Sequence, residues 1–394
     1  MSVRRVIAVF GVVVTLLGGC RAGGGEGPPE PVRPRWEASD LPVPPGSAGR
    51  LVVRDVTGCA GRWYVVGAVA GPDGATRPAA WGSADGRTWA PLPLRPISYY
   101  GERAILYAVG CHEGRVAVIG ARSGGAHGNP RVRTWRQDAD GGLTEVPVEF
   151  VVYGGPEAVS ASRIAGGAGG WLIAGARTGG AAVWLSPDAA DFQLVDRAPA
   201  LASDAGLTTL ATDAVAVPDG WLVGGGGRPA GRADRDPFVW FSGDGRSWTR
   251  VALPATGDDE IVQRLVRIGS TMYAVGVRGG AFQAWVSEPG GGATSAAAWR
   301  AVGRFGATGT GAVAGVESAS GGGDGLVAMT MAAGGHRLWR SAAGASSWVP
   351  VVLPVDVPTG GDTSGAVAVM ADRVVLTVDD GVAGRVWFAP SGGV

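Results

Sequence analysis

A short apolar run closing on a small residue returns again and again along this chain. It reads "WYVVG" (63–67), "VAVIG" (116–120), "WLIAG" (171–175), "WLVGG" (221–225) and "MYAVG" (272–276), then weakens to "LVAMT" (326–330) and "VVLTV" (374–378). A second marker follows within each copy, at Trp81, Trp135, Trp184, Trp240, Trp285, Trp339 and Trp387. Both markers recur after about 51 or 52 residues, and both count seven copies. No single copy holds enough apolar surface to bury a face alone, so the copies must stack on one another.

Each copy reads as four short strands. In the first they are "RLVVRDV" (50–56), "RWYVVGAVA" (62–70), "RPAAWGS" (77–83) and "TWAPLPL" (88–94), bounded by Gly, Pro and Asp clusters. No sustained 3.6-residue period marks a helix after the N-terminal segment. The 70 glycines suit a fold with many tight reversals. Four-stranded antiparallel units at this spacing predict an all-β, seven-bladed β-propeller. The fourth strands read "WAPLPL" (89–94), "WTRVALP" (248–254) and "WVPVVLP" (348–354), and "WEASDLPVP" (36–44) belongs to the same set. The seventh copy reaches position 394 without such a strand. Residues 36–44 are therefore expected to supply the outer strand of the last blade and close the ring, within a propeller spanning 36–394.

The chain opens "MSVRRVIAVFGVVVTLLGGC". A basic start and an apolar run shorter than the roughly 20 residues of a membrane span read as an export signal over 1–19. Leu17-Gly18-Gly19-Cys20 resembles the lipobox of bacterial lipoproteins. That resemblance implies cleavage before Cys20, its lipidation, and a place on the extracytoplasmic face of the cell membrane. Residues 20–35 carry the Gly/Pro-rich "RAGGGEGPPEPVRPR" and are expected to form a flexible tether.

Thirty-four basic and 34 acidic residues give zero net charge, and every basic residue is arginine. No basic tract suggests nucleic acid. Without lysine there is no P-loop, and neither G-x-S-x-G nor H-E-x-x-H occurs. His112, His127 and His336 show no metal-ligand spacing, so no metal and no cofactor is expected. Cys59 and Cys111 sit eight and nine residues before the marker glycines of adjacent copies, at the ends of inner strands that neighbouring blades bring together. In an exported protein they are expected to form a disulfide.

The hairpin between third and fourth strands carries a further signature, "SADGRTW" (83–89) and "SGDGRSW" (242–248), with degenerate forms at 138–144, 186–192 and 341–348. It resembles the Asp-box of sialidase-type and related propellers, with a turn one residue shorter than the commonest form. The resemblance implies a structural turn away from any active site: Ser83, Asp85, Gly86 and Trp89, and likewise Ser242, Asp244, Gly245 and Trp248. The same resemblance raises a sialidase-like glycoside hydrolase as the alternative function. That family works on six blades with a Tyr–Glu nucleophile pair and an acidic general acid, and no arginine motif of its type opens a copy here.

Loops from the fourth strand to the next blade, and from the second strand to the third, share one face of a propeller and usually carry binding. Those loops offer Tyr99, Tyr100, Glu102, Arg103, Tyr153, Arg232, Asp234, Arg235, Asp258, Asp259 and Glu260. Exposed tyrosines beside mixed charge suit a protein or glycan ligand. The expected function is a monomeric, non-catalytic binding or scaffold module.

Overall fold

Seven antiparallel sheets surround one axis in the computed structural model, which describes residues 29–124, 130–288, 294–309, 313–323 and 325–394. The segment read as an export signal, Cys20 and His127 lie outside the described residues. Blade 1 is built from Arg50–Cys59, Arg62–Ala70, Thr76–Ser83 and Ala90–Pro91, close to the strands expected from sequence. The inner strands of blades 2 to 7 are Ile105–His112, Ala158–Gly167, Leu207–Val217, Glu260–Ile268, Gly315–Gly322 and Ser364–Met370. The one α-helical segment among the described residues is a single turn, Phe150–Tyr153, in the loop from blade 2 to blade 3.

The ring closes as the N-terminal segment implies. Glu37–Ser39 pairs antiparallel with Gly384–Pro390, matching Ala38 to Trp387, and becomes the outer strand of blade 7. Two features were not foreseen. The segment expected to be free tether is docked from Val32, which forms a parallel bridge to Val351 of blade 6. The Val32 N–H donates to Pro350 O (2.9 Å), and the Val352 N–H to Val32 O (2.8 Å). Blade 6 offered an unpaired outer edge, and the passing segment satisfies it. Leu94–Arg95 does the same for blade 2, adding a parallel fifth strand beside Leu143–Glu145.

Both repeat markers have a packing cause. The glycines at 67, 175, 225 and 276 lie where an added Cβ would fall on a carbonyl of the inner strand: Val52, Ser160, Leu210 and Ile261 respectively. Those carbonyls are displaced by a β-bulge, present in the inner strands of blades 1 to 6 and absent from blade 7. The tryptophans bury their rings and reach backward round the ring. Trp81, Trp184, Trp240 and Trp285 donate their indole N–H to Pro42, Val152, Ala200 and Pro254 O at 2.7–3.0 Å, each on the loop leaving the preceding blade. Every such bond ties one blade to the exit of the last, so these four of the seven periodic tryptophans are seam residues, whereas Trp339 donates to Thr330 of its own blade.

Cys59 and Cys111 are joined as expected, with Cα atoms 5.5 Å apart at adjoining inner-strand ends of blades 1 and 2.

Candidate functional site

Each bulge turns polar side chains into the central channel, where the inner strands otherwise present an unpaired backbone edge. These side chains cap the edge of the next blade. The Asp55 carboxylate accepts the Val109 N–H (3.0 Å), and the Tyr107 hydroxyl donates to Ala161 O (2.5 Å). Thr212 donates to Val262 O (2.8 Å), and Asp213 accepts the Leu265 N–H (2.8 Å). Gln263 accepts from Val316 N (2.7 Å), Ser318 Oγ from Val367 N (3.1 Å), and the Ser364 hydroxyl donates to Val53 O (2.8 Å).

Blade 3 breaks this order. Its Arg163 crosses the channel to the Asp55 carboxylate (2.9 Å) and to Glu317 O of blade 6 (2.5 Å). Arg264 of blade 5 donates Nε and Nη2 to the same carbonyl, at 2.9 and 2.5 Å. The two guanidiniums meet at mid-depth and divide the channel. Below them, toward the hairpin face, a cavity of about 460 Å³ holds Asp55, Asp213 and Arg267. Above them, toward the loop face, a second cavity measures about 370 Å³. Burial, with the neighbouring Arg163 charge, pulls the Arg264 guanidinium down to about 10. Burial pushes the Asp213 carboxyl up, against the pull of Arg264 and Arg163.

Glu317 links this cluster to His336. Its carboxylate accepts the Gly365 N–H (3.1 Å) and lies 3.0 Å from His336 Nε2, while His336 Nδ1 lies 3.0 Å from Pro358 O. Burial works to lower the imidazole pKa, but the Glu317 carboxylate and the backbone carbonyls outweigh it and raise the value. A raised folded pKa means stability that is full below the unfolded value of about 6.5 and lost as pH rises through the folded value. Melting temperature is therefore expected to fall as pH rises above about 6.5 in the wild type. His336→Gln should flatten that slope; an identical slope in both proteins would remove His336 as its cause.

On the loop face, two groups of predicted residues separate. Tyr99 is 64% exposed and stacks under Arg103 (3.9 Å); its ring meets Tyr100 edge-on at 5.3 Å. Arg131 lies 5.8 Å from the Tyr100 ring and 4.6 Å from that of Phe150, which is 50% exposed. Arg103–Tyr99–Tyr100–Arg131–Phe150 is thus a continuous aromatic and cationic ladder, with Ile97 and Val151 exposed beside it. Glu102 pairs with Arg103 (3.0 Å). Arg131 and Phe150 escape a reading of the sequence because neither stands in a motif, although Phe150 lies within a loop between blades.

The second group, at the seam of blades 4 and 5, is paired within itself. Arg232 holds Asp234 and Asp236, and Arg235 clasps Asp259 through Nε (2.8 Å) and Nη2 (2.5 Å). Asp258 meets the Thr256 hydroxyl at 3.3 Å.

Two expectations are corrected. Tyr153 is 7% exposed, its ring packed against Trp184 and Phe192, so it is core and not surface. Glu260 is fully buried, accepting the Thr256 N–H (2.6 Å) and pairing with Arg278 (3.3 Å). Both sit where a loop re-enters a blade, and the packing of that entry captures them.

The hairpin motifs form turns locked by their own side chains. Asp85 accepts from the N–H groups of Arg87 and Thr88 (both 2.8 Å), and Ser83 Oγ accepts the Gly86 N–H (2.9 Å). Asp244, Ser242 and Gly245 repeat this geometry, and both glycines sit at φ 73°. Those backbone N–H bonds hold each aspartate at about 2. Trp89 packs into the blade 7 face beside Phe388, and Trp248 against blade 3. Strand alternation puts these turns on the face opposite the ladder.

No protein-family model and no curated protein sequence matches the chain. Solved structures do. The β-propeller domain of Cps50 (Swd1) from Myceliophteria thermophila aligns at TM-score 0.53 and 12% identity, over 87% of this chain and 97% of that one. The periplasmic gluconolactonase of Pseudomonas aeruginosa aligns at TM-score 0.50 and 13% identity, over 77% and 85%. The propeller domain of the trilobed protease from Pyrococcus furiosus aligns at 0.49 and 10%, over 86% and 95%. At such identities the likeness to the first two is one of fold: the protein is similar to them as a β-propeller.

Proposed function

We propose that the protein is a lipid-anchored, extracytoplasmic binding or scaffold module, monomeric and without a cofactor, that presents its loop face to a protein or glycan. The observation that carries this reading is the ladder Arg103–Tyr99–Tyr100–Arg131–Phe150. Aromatic rings braced by arginine lose little entropy on binding and recur at the energetic centres of interfaces. The lipobox-like residues before Cys20 support the anchor, and the docking of Val32 and Glu37–Ser39 gives the tether a fixed exit at the rim of blades 6 and 7. A sialidase-like hydrolase is less well supported. Tyr107, the channel tyrosine, is bound to Ala161 O, and burial pushes its pKa well above the ordinary phenol value, the reverse of what a nucleophile needs.

The double variant Tyr99→Ser/Phe150→Ser should lose at least about tenfold in affinity for the cognate glycan or protein, with an unchanged melting temperature. A glycan array and cross-linking on intact cells supply the ligand. Turnover of any member of a fluorogenic glycoside panel would remove the non-catalytic reading. Palmitate labelling that persists in Cys20→Ser would remove the anchor.

A further inference from the structure

The capping bonds between inner strands run from blade to blade at every seam but one. At the seam from blade 3 to blade 4, no such bond occurs among the described residues: the Ser162 hydroxyl reaches only Ser160 Oγ at 3.4 Å, and Arg163 turns away across the channel. The upper cavity of about 370 Å³ opens at that gap, lined by Tyr107, Ser162, Arg163, Thr212, Gln263 and Arg264, with Val316 as an apolar wall.

Its chemistry is one-sided, for no carboxylate lines it. The Tyr107 and Thr212 hydroxyl hydrogens are spent on Ala161 and Val262 carbonyls. Gln263 commits its oxygen to the Val316 N–H, leaving its amide NH₂ for the cavity. Arg264 donates only to the carbonyls of Glu317 and Gln263 and makes no ion pair among the described residues. Asp213, a carboxylate of the chamber beneath, uses its oxygens on the Ala214 and Leu265 N–H groups. Asp213, Asp55 and Glu317 act on the Arg264 guanidinium through space, but none is in ion-pair contact with it, so its near partners are carbonyls alone.

We infer that this vestibule is a binding site for a small carboxylate, received by Arg264 and Arg163 and oriented by the Gln263 amide and the Ser162 hydroxyl. Its volume suits a compact organic acid or the last residues of a peptide. A monoanion fits better than a phosphate, because Arg163 already pairs with Asp55 and only Arg264 has no carboxylate at ion-pair distance. Asp55 and Asp213, in the chamber beneath, would repel a second negative charge. A planar carboxylate also matches the guanidinium fork. The site is separate from the aromatic ladder and does not depend on it.

The test is calorimetric titration of the full-length protein at fixed ionic strength with acetate, lactate, and N-acetyl-dialanine as free acid and as amide. Carboxylates should bind and the amide should not. Tight binding of the peptide acid alone would identify the carboxyl end of a polypeptide as the source, whereas binding of acetate or lactate would identify a free acid. Ser162→Asp places a fixed carboxylate in the vestibule and should weaken binding by about tenfold or more without lowering the melting temperature. Arg264→Met should do the same; if that variant misfolds, Ser162→Asp carries the test alone. Tyr99→Ser/Phe150→Ser should bind the carboxylate normally. The inference is overturned if no carboxylate binds, if acid and amide bind alike, or if Ser162→Asp binds as the wild type does.

Discussion

A protein lacking residues 36–44 should unfold at markedly lower denaturant than the full-length form, with a loss on the order of 5 kcal/mol. The figure follows from what that short segment touches. Glu37–Ser39 covers the edge of Gly384–Pro390. Trp36 packs with Val351 and Trp387 and donates to Val352 O at 2.8 Å, while Leu41 packs against the core shared by blades 1 and 7. Pro42 O accepts the indole N–H of the fully buried Trp81, and Pro44 O accepts from Arg77. Deletion leaves buried donors unsatisfied and opens a blade edge that invites association. Side-chain closure survives: Asp379 of blade 7, fully buried, still holds Arg50 (2.6 Å) and Arg54 (2.7 Å) of blade 1, and the Ser364 hydroxyl still donates to Val53 O (2.8 Å). Removing only 29–33 should cost about 1 kcal/mol, the scale of the two backbone bonds made by Val32. Equal urea midpoints for the full-length protein and the form without 36–44 would refute closure by this strand.

Replacing both Cys59 and Cys111 by serine should cost about 2–4 kcal/mol relative to the oxidised protein, and reduction of the wild type should match it. The bridge spans 52 residues, a loop long enough for its closure entropy to matter in the unfolded state. It also joins two inner strands in a ring where every seam is a potential point of opening. Denaturant midpoints of the oxidised, reduced and double-serine proteins measure the effect. Three coincident midpoints would show that the seam of blades 1 and 2 is held without it.

Much of this architecture was legible because repetition amplifies weak signals. A single Gly in a strand says little, but of five at one spacing, four record one steric event, an inner-strand carbonyl that leaves no room for a Cβ. The disulfide was readable for the same reason, since near-equal offsets in adjacent copies become neighbours in a ring. Candidate sites were harder to read. Tyr153 and Glu260 looked like their loop companions Tyr99 and Asp259, and only the packing at blade entry separates buried from exposed. The channel residues Asp55, Tyr107, Arg163, Thr212, Gln263, Arg264 and Glu317 were overlooked, although each interrupts an apolar inner strand. That interruption was the available signal, and its meaning depends on facing six other strands.

The sequence by itself determined the seven units, the four-stranded blade and the identity of the closing strand, because these depend on local periodicity and turn chemistry. Only the tertiary structure decided which polar residues share the axis. Arg163, Asp55 and Glu317 come from blades 3, 1 and 6, and no local pattern encodes which blades face one another across a channel. Closing the ring brings them together, and the electrostatics of the site arise from that closure.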